Sequence, residues 1–160
     1  MSKSGAPSPP VPHILLVEAR YYPALSDGLK AGAIAALKAA NARWSELAVA
    51  GALEIPAAIR IALDGETPYD GYVALGAVIR GETAHFDIVA QTSAHALMQL
   101  AVLEGAAIGN GILTVENEAQ ALERADPKGR NCGGAAADAC LGLVRARAQL
   151  QPSAERLRAR

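Results

Sequence analysis

Short apolar runs alternate along this chain with longer stretches of helical periodicity, and no other sequence feature limits the fold as strongly. Ile14–Val17 is a run without a polar residue, ended by Glu18, Ala19 and Arg20. Pro23 suits the first turn of a helix, and Leu25, Leu29, Ala33 and Leu37, with Ile34, then recur at helical spacing. Leu47–Ala50 reads as a second strand, ended by Gly51, Ala52, Leu53 and Glu54, and Pro56 starts a helix carrying Ile59, Ile61 and Leu63. Tyr72–Val78 is the third strand. Gly81, Glu82 and Thr83 follow it, then a long helix with Ile88, Thr92, Ala96, Leu100 and Leu103. Ala106–Leu113 is the fourth strand; a helix to about Ala125, a polar stretch over Asp126–Gly134 and a last helix to about Gln149 complete the pattern.

Strands of four to eight apolar residues, each followed by a helix, imply a parallel sheet covered on both faces. The expected fold class is therefore α/β, a flavodoxin-like three-layer αβα sandwich with a four-stranded parallel sheet. Residues 1–12 contain Pro7, Pro9, Pro10 and Pro12 and read as a flexible proline-rich N-terminal arm. Residues 13–150 read as a single domain and 151–160 as a charged C-terminal tail.

Composition narrows the function classes. A length of 160 residues fits one domain with a core that needs no metal or disulfide staples. The balance of 15 Lys and Arg against 16 Asp and Glu argues against a nucleic-acid partner, which calls for a basic surplus. No apolar run reaches the roughly 18 residues of a membrane span, and the N-terminus has no charged-then-apolar signal pattern. Cys132 and Cys140 form no CxxC pair and, with three scattered histidines, no metal-ligand cluster. A reduced cytoplasmic setting is the expectation. The chain is 51% hydrophobic but only 4% aromatic, and alanine dominates the apolar half, as in Ala31–Ala36 and Ala135–Ala137. Either these small residues serve helices that pack closely on other subunits, or the genome favours alanine codons.

In parallel sheets ligands bind outside the carboxyl ends of the strands. Four segments therefore hold the candidate residues. After strand one, Tyr21 either stacks on a planar heterocycle or caps the core edge. After strand two, Glu54 either accepts hydrogen bonds from substrate hydroxyls or complements the positive end of the helix that follows. After strand three, Gly81 permits close backbone approach and Thr83 is a good N-cap. The free N–H groups of a helix start make an anion site. His85 falls in that first turn, with a reference pKa near 6.5 suited to proton transfer, or serves structure alone. Arg124 is either a phosphate contact or compensation of a helix dipole. Lys128, Gly129 and Arg130 add positive charge in a loop. No GxxxxGK[ST] or GxGxxG loop is present, so nucleotide hydrolysis and NAD binding have no motif support.

Gly51-Ala-Leu-Glu-Ile-Pro56 and Gly76-Ala-Val-Ile-Arg-Gly-Glu-Thr-Ala-His-Phe-Asp87 together resemble the 6,7-dimethyl-8-ribityllumazine synthase family. Gly111-Ile-Leu-Thr-Val-Glu-Asn117 and Gln120-Ala-Leu-Glu-Arg-Ala125 fit the same family in the same order. The resemblance runs from about His13 to Leu143. It implies a transferase of riboflavin biosynthesis, condensing 5-amino-6-(D-ribitylamino)uracil with 3,4-dihydroxy-2-butanone 4-phosphate and using no metal or organic cofactor. It places Tyr21 on the pyrimidine, and Ala52, Leu53, Glu54, Ala77, Val78 and Ile79 along the pyrimidine and ribityl chain. It places Glu82, Thr83 and Arg124 at the phosphate and makes His85 the proton-transfer residue. It implies a homopentamer, assembling further in some members to a decamer or a sixty-subunit particle. The pocket lies between subunits, with Asn110 and Arg124 supplied by the neighbour. The family often carries an aromatic where Asn110 stands and a lysine where Cys132 stands. Those departures define a second reading, a catalytically weak homologue that binds flavin or lumazine or builds a shell.

Overall fold

A computed structural model describes residues 10–151; the ends of the expected arm and tail, 1–9 and 152–160, lie outside the described residues. Four strands form one sheet in the order β2-β1-β3-β4: β1 His13–Ala19, β2 Arg43–Val49, β3 Gly71–Ile79 and β4 Ile108–Val115. All three pairings are parallel, with Val17 opposite Leu47 and Ala74, and Ala74 opposite Asn110. Helices α1 Pro23–Ala39, α2 Glu54–Leu63, α3 His85–Leu103, α4 Glu118–Ala125 and α5 Cys132–Leu150 complete the fold. The alternation of strand and helix is as expected, and none of the helices in the described residues is long and apolar enough to cross a membrane.

Side chains alternate across the central strands and divide the core in two. Ile14, Leu16, Val73 and Leu75 meet Leu29, Ala33 and Leu37 of α1 and Ala136, Ala137 and Cys140 of α5. Leu15, Val17, Tyr72 and Ala74 meet Ile55 and Ile59 of α2 and Leu97 of α3 on the opposite face. Three layers result because β1 and β3, apolar on both faces, must be covered twice.

The structure corrects several sequence expectations. β2 begins at Arg43, four residues before the apolar run at Leu47, because it is an edge strand whose side chains are largely exposed. Its ladder to β1 forms without full burial. β4 is shifted two residues toward the C-terminus, to Ile108–Val115, with Asn110 inside it. α2 starts at Glu54 with Pro56 in its first turn. In α3 the core face is Phe86, Val89, Ser93 and Leu97, while Ile88 and Thr92 of the expected stripe are exposed. α5 begins at Cys132 and takes in Gly133 and Gly134, which read as loop in the sequence. Here a tertiary contact overrides helix propensity: a Cβ at Gly133 would overlap the backbone of Leu29 in α1. Asn131, at φ 49°, caps this helix by accepting the N–H of Gly134 at 3.2 Å.

Candidate active site

The strand order changes direction between β1 and β3, the switch point at which parallel sheets open a crevice at their carboxyl ends. A cleft of about 420 Å³ lies there. Tyr21 and Tyr22 follow β1 and line one wall; Ala50 through Glu54 follow β2; Ala77, Val78 and Ile79 close β3; His85 and Val89 come from the first turns of α3. Eight of the sequence-derived site residues thus meet in one place: Tyr21, Ala52, Leu53, Glu54, Ala77, Val78, Ile79 and His85. Ala50 and Val89 were not foreseen. Val89 lies four residues after His85 on the same helix face, a spacing that was legible.

Local interactions hold the first wall in place. The β1 carboxylate Glu18, only 4% exposed, accepts from Arg20 at 2.9 Å and from Lys30 at 2.9 Å. A buried carboxylate is costly unless paired, and two cations from different elements satisfy this one. Arg20 also donates to Asp27 at 2.6 Å, and its hydrogen bonds to Asp27 and Glu18 raise its proton affinity above the ordinary value. The turn from β1 into α1 is therefore tied at both ends, and it presents Tyr21. That ring is 73% exposed and meets Tyr22 edge-on, with centroids 4.9 Å apart, leaving a face free for stacking. Beneath the cleft, Ala52, Val78, Phe86 and Val89 form a small apolar cluster that seats α3 on the end of β3.

Residues 81–85 are all exposed. Among the described residues, the backbone N–H groups of Gly81, Glu82, Thr83 and Ala84 have no acceptor, and open space surrounds the α-carbon of Gly81. Four free donors beside a helix start suit an anion. Thr83 is not the N-cap. Ala84 holds that position, and the Thr83 hydroxyl instead accepts the His85 N–H at 3.3 Å. The correction arises because the chain enters α3 already in helical conformation at Ala84, one residue later than the capping pattern implied. The exposed imidazole of His85 has no hydrogen-bond partner among the described residues.

Glu82, Thr83, Asn110 and Arg124 do not line this cleft within one chain. Glu82 and Thr83 adjoin it in the loop just described. Asn110 sits on the edge strand β4, where its side-chain oxygen accepts the N–H of Ile112 at 3.0 Å. Arg124, in the last turn of α4, donates to the Gln120 carbonyl at 3.2 Å and lies 3.6 Å from Glu123. Asn117 caps α4 through the N–H of Gln120 at 3.0 Å.

Known proteins share this sequence closely. The family model described as 6,7-dimethyl-8-ribityllumazine synthase matches residues 12–148. A 6,7-dimethyl-8-ribityllumazine synthase of Novosphingobium aromaticivorans is 61% identical over 130 residues, covering 81% of this chain and 92% of the relative. The synthase of Bartonella tribocorum is 58% identical over 133 residues, covering 83% of this chain and 88% of the relative. That of Agrobacterium fabrum is 54% identical over 143 residues, covering 87% and 97%. With the match spanning both the sheet and every loop that builds the cleft, the chain belongs to the 6,7-dimethyl-8-ribityllumazine synthase family.

Proposed function

We propose that the switch-point cleft is where this chain condenses 5-amino-6-(D-ribitylamino)uracil with 3,4-dihydroxy-2-butanone 4-phosphate. The observation that carries the reading is the meeting of an exposed tyrosine, a chain of strand-end backbone and a histidine that, among the described residues, has no partner, next to a loop whose N–H groups have none either. Tyr21 stacks on the pyrimidine. Ala52, Leu53, Glu54, Ala77, Val78 and Ile79 hold the ring and the ribityl chain, largely through backbone groups. Glu82 and Thr83 bind the phosphate through N–H donors and the threonine hydroxyl.

The uracil amine attacks the ketone and gives a carbinolamine, then an imine by loss of water. A proton leaves carbon and phosphate is eliminated. The ribityl-bearing nitrogen then closes the ring, with loss of a second water. Each stage moves a proton, and His85 stands where it can carry one between the reacting carbon skeleton and solvent. One acid–base group contributes roughly 10²–10⁴-fold, and holding two substrates together supplies much of the rest. The loop donors stabilise the departing phosphate as its charge grows.

The functional unit in this reading is a cytoplasmic homopentamer, in which Arg124 and Asn110 complete the neighbour's cleft. Two features support it. Both residues lie outside the cleft of their own chain, and α3 exposes Ile88, Met98 and Val102 along one side. A buried stripe would be expected for such residues, and a neighbouring subunit supplies the cover. Steady-state kinetics of Arg124→Ala tests the arrangement. A raised KM for the butanone phosphate is expected, and wild-type values would refute it.

A further inference from the structure

Arg80, between β3 and the anion loop, has no role in the reading above, yet it is the most connected side chain at this edge of the sheet. Its Nε donates to Glu116, just past β4, at 2.7 Å. Its two terminal nitrogens donate to the two carboxylate oxygens of Asp87, in the first turn of α3, each at 3.3 Å. Its guanidinium carbon lies 4.2 Å from the centre of the Phe86 ring. Its own N–H donates to the Val115 carbonyl at 2.9 Å. Glu116 is anchored in turn, since its N–H donates to the Gln120 side chain at 2.9 Å on α4, the helix that carries Arg124.

The loop 81–84 spans the gap between β3 and α3 with no hydrogen bond of its own from those four N–H groups among the described residues. Its free donors point usefully at an anion only if its two ends are held at a fixed separation. We propose that Arg80 is a positioning residue for phosphate binding: bridging Asp87 and Glu116, it fixes the anion loop between α3 and β4. A planar guanidinium grips one carboxylate with both terminal nitrogens while its Nε serves a second, a fixed fork that the point charge of an ammonium lacks. Residues 87 and 116 are therefore tied to residue 80, and the stretch between 80 and 87 holds the loop that faces the ligand. The inference rests on the phosphate site proposed above.

A simple charge account and the brace predict opposite signs. Asp87 and Glu116 are carboxylates close to an anion site, so as charges alone they oppose a phosphate, and their neutralisation would lower its KM. As anchors of Arg80 they support it. The test is steady-state kinetics of Asp87→Asn, Glu116→Gln and Arg80→Lys in the assembled enzyme, varying each substrate separately. The brace predicts that all three raise the KM for the butanone phosphate by about fivefold, while the KM for the uracil stays within about twofold. Titration with inorganic phosphate, which needs no turnover, should show the same loss of affinity in Glu116→Gln. An unchanged or lowered phosphate KM in both carboxylate variants overturns the brace, as does an equal rise in both KM values, the mark of a general loss of structure. Arg124→Ala serves as the reference. If it raises the phosphate KM and Glu116→Gln does not, the brace alone fails; if neither does, the phosphate site fails with it.

Discussion

The two faces of the sheet are covered in different ways. On one, α1 and α5 press so closely on the strands and on each other that side chains are excluded. A Cβ at Gly109 of β4 would overlap the Ala136 carbonyl of α5, and one at Gly133 would overlap the Leu29 backbone of α1. Cys140 and Ala137 are fully buried there. On the other face, α2 and α3 bury Ile55, Ile59 and Leu97 but leave Ile61, Ile88, Met98 and Val102 exposed. At the rim where the two faces meet, a recess of about 820 Å³ opens between Met98 and Val102 of α3 and Leu143 of α5, bordered by Asp70, Glu104 and Arg147. The abundance of small residues is thus used within the chain, to bring helices close to the sheet. The exposed stripe on α3, which the proposed pentamer would cover, is built from large aliphatic side chains instead. The small residues therefore have a use within the chain itself, apart from any contact with other subunits.

The closed face should be the less forgiving. Gly133→Ala forces α5 away from α1 and is expected to destabilise the fold by about 1–3 kcal/mol or more, read as a lower midpoint in chemical denaturation. A midpoint equal to wild type would mean that the seam can open freely, and the contrast between faces would go. On the open face, Val102→Glu should leave helix content by circular dichroism intact while lowering the particle mass measured by light scattering. Unfolding of that variant would show that Val102 belongs to the core after all.

The two thiols separate the seam from its rim. Cys140 is fully buried, and burial pushes its pKa from 9.0 up to about 12. Cys132, at the start of the same helix, is half-buried. A thiol reagent should therefore modify Cys132 first and reach Cys140 only as the chain unfolds. The folded-state pKa of Cys140 lies above its unfolded value, so its contribution to stability is complete below about pH 9 and is lost as pH rises toward 12. Cys140→Ala should flatten the loss of stability across that range, measured as the denaturation midpoint against pH. The smallest effect belongs to the exposed pair Arg60–Asp64 on α2, at 2.8 Å. Arg60→Ala should leave the midpoint unchanged.

Much of this was legible in the residues. The stripe Leu25, Leu29, Ala33, Leu37 located α1 and its buried face, and the runs around Leu15 and Val73 located the central strands, because full burial leaves an unbroken apolar signal. β2 was legible only in its last residues, since an edge strand with Glu46 and Arg43 carries no such signal. The start of α5 was hidden because Gly133 and Gly134 answer to α1 rather than to local propensity. The cleft residues were found because each follows a strand, and the family resemblance assigned their roles. Arg80 was missed in spite of its place within a recognised string. One partner, Glu116, is brought to it by the β3–β4 pairing, which no local pattern encodes, and the other, Asp87, by the path of the loop from β3 into α3.

The most direct measurement is the rate of lumazine formation when the two substrates are mixed with the wild-type protein and with His85→Ala, followed by absorbance. The cleft described above predicts lumazine and free phosphate appearing together with the wild type, and a rate lower by about 10²–10⁴-fold with the folded variant. No lumazine from the folded wild type would contradict the function, and equal rates from the two proteins would contradict the site.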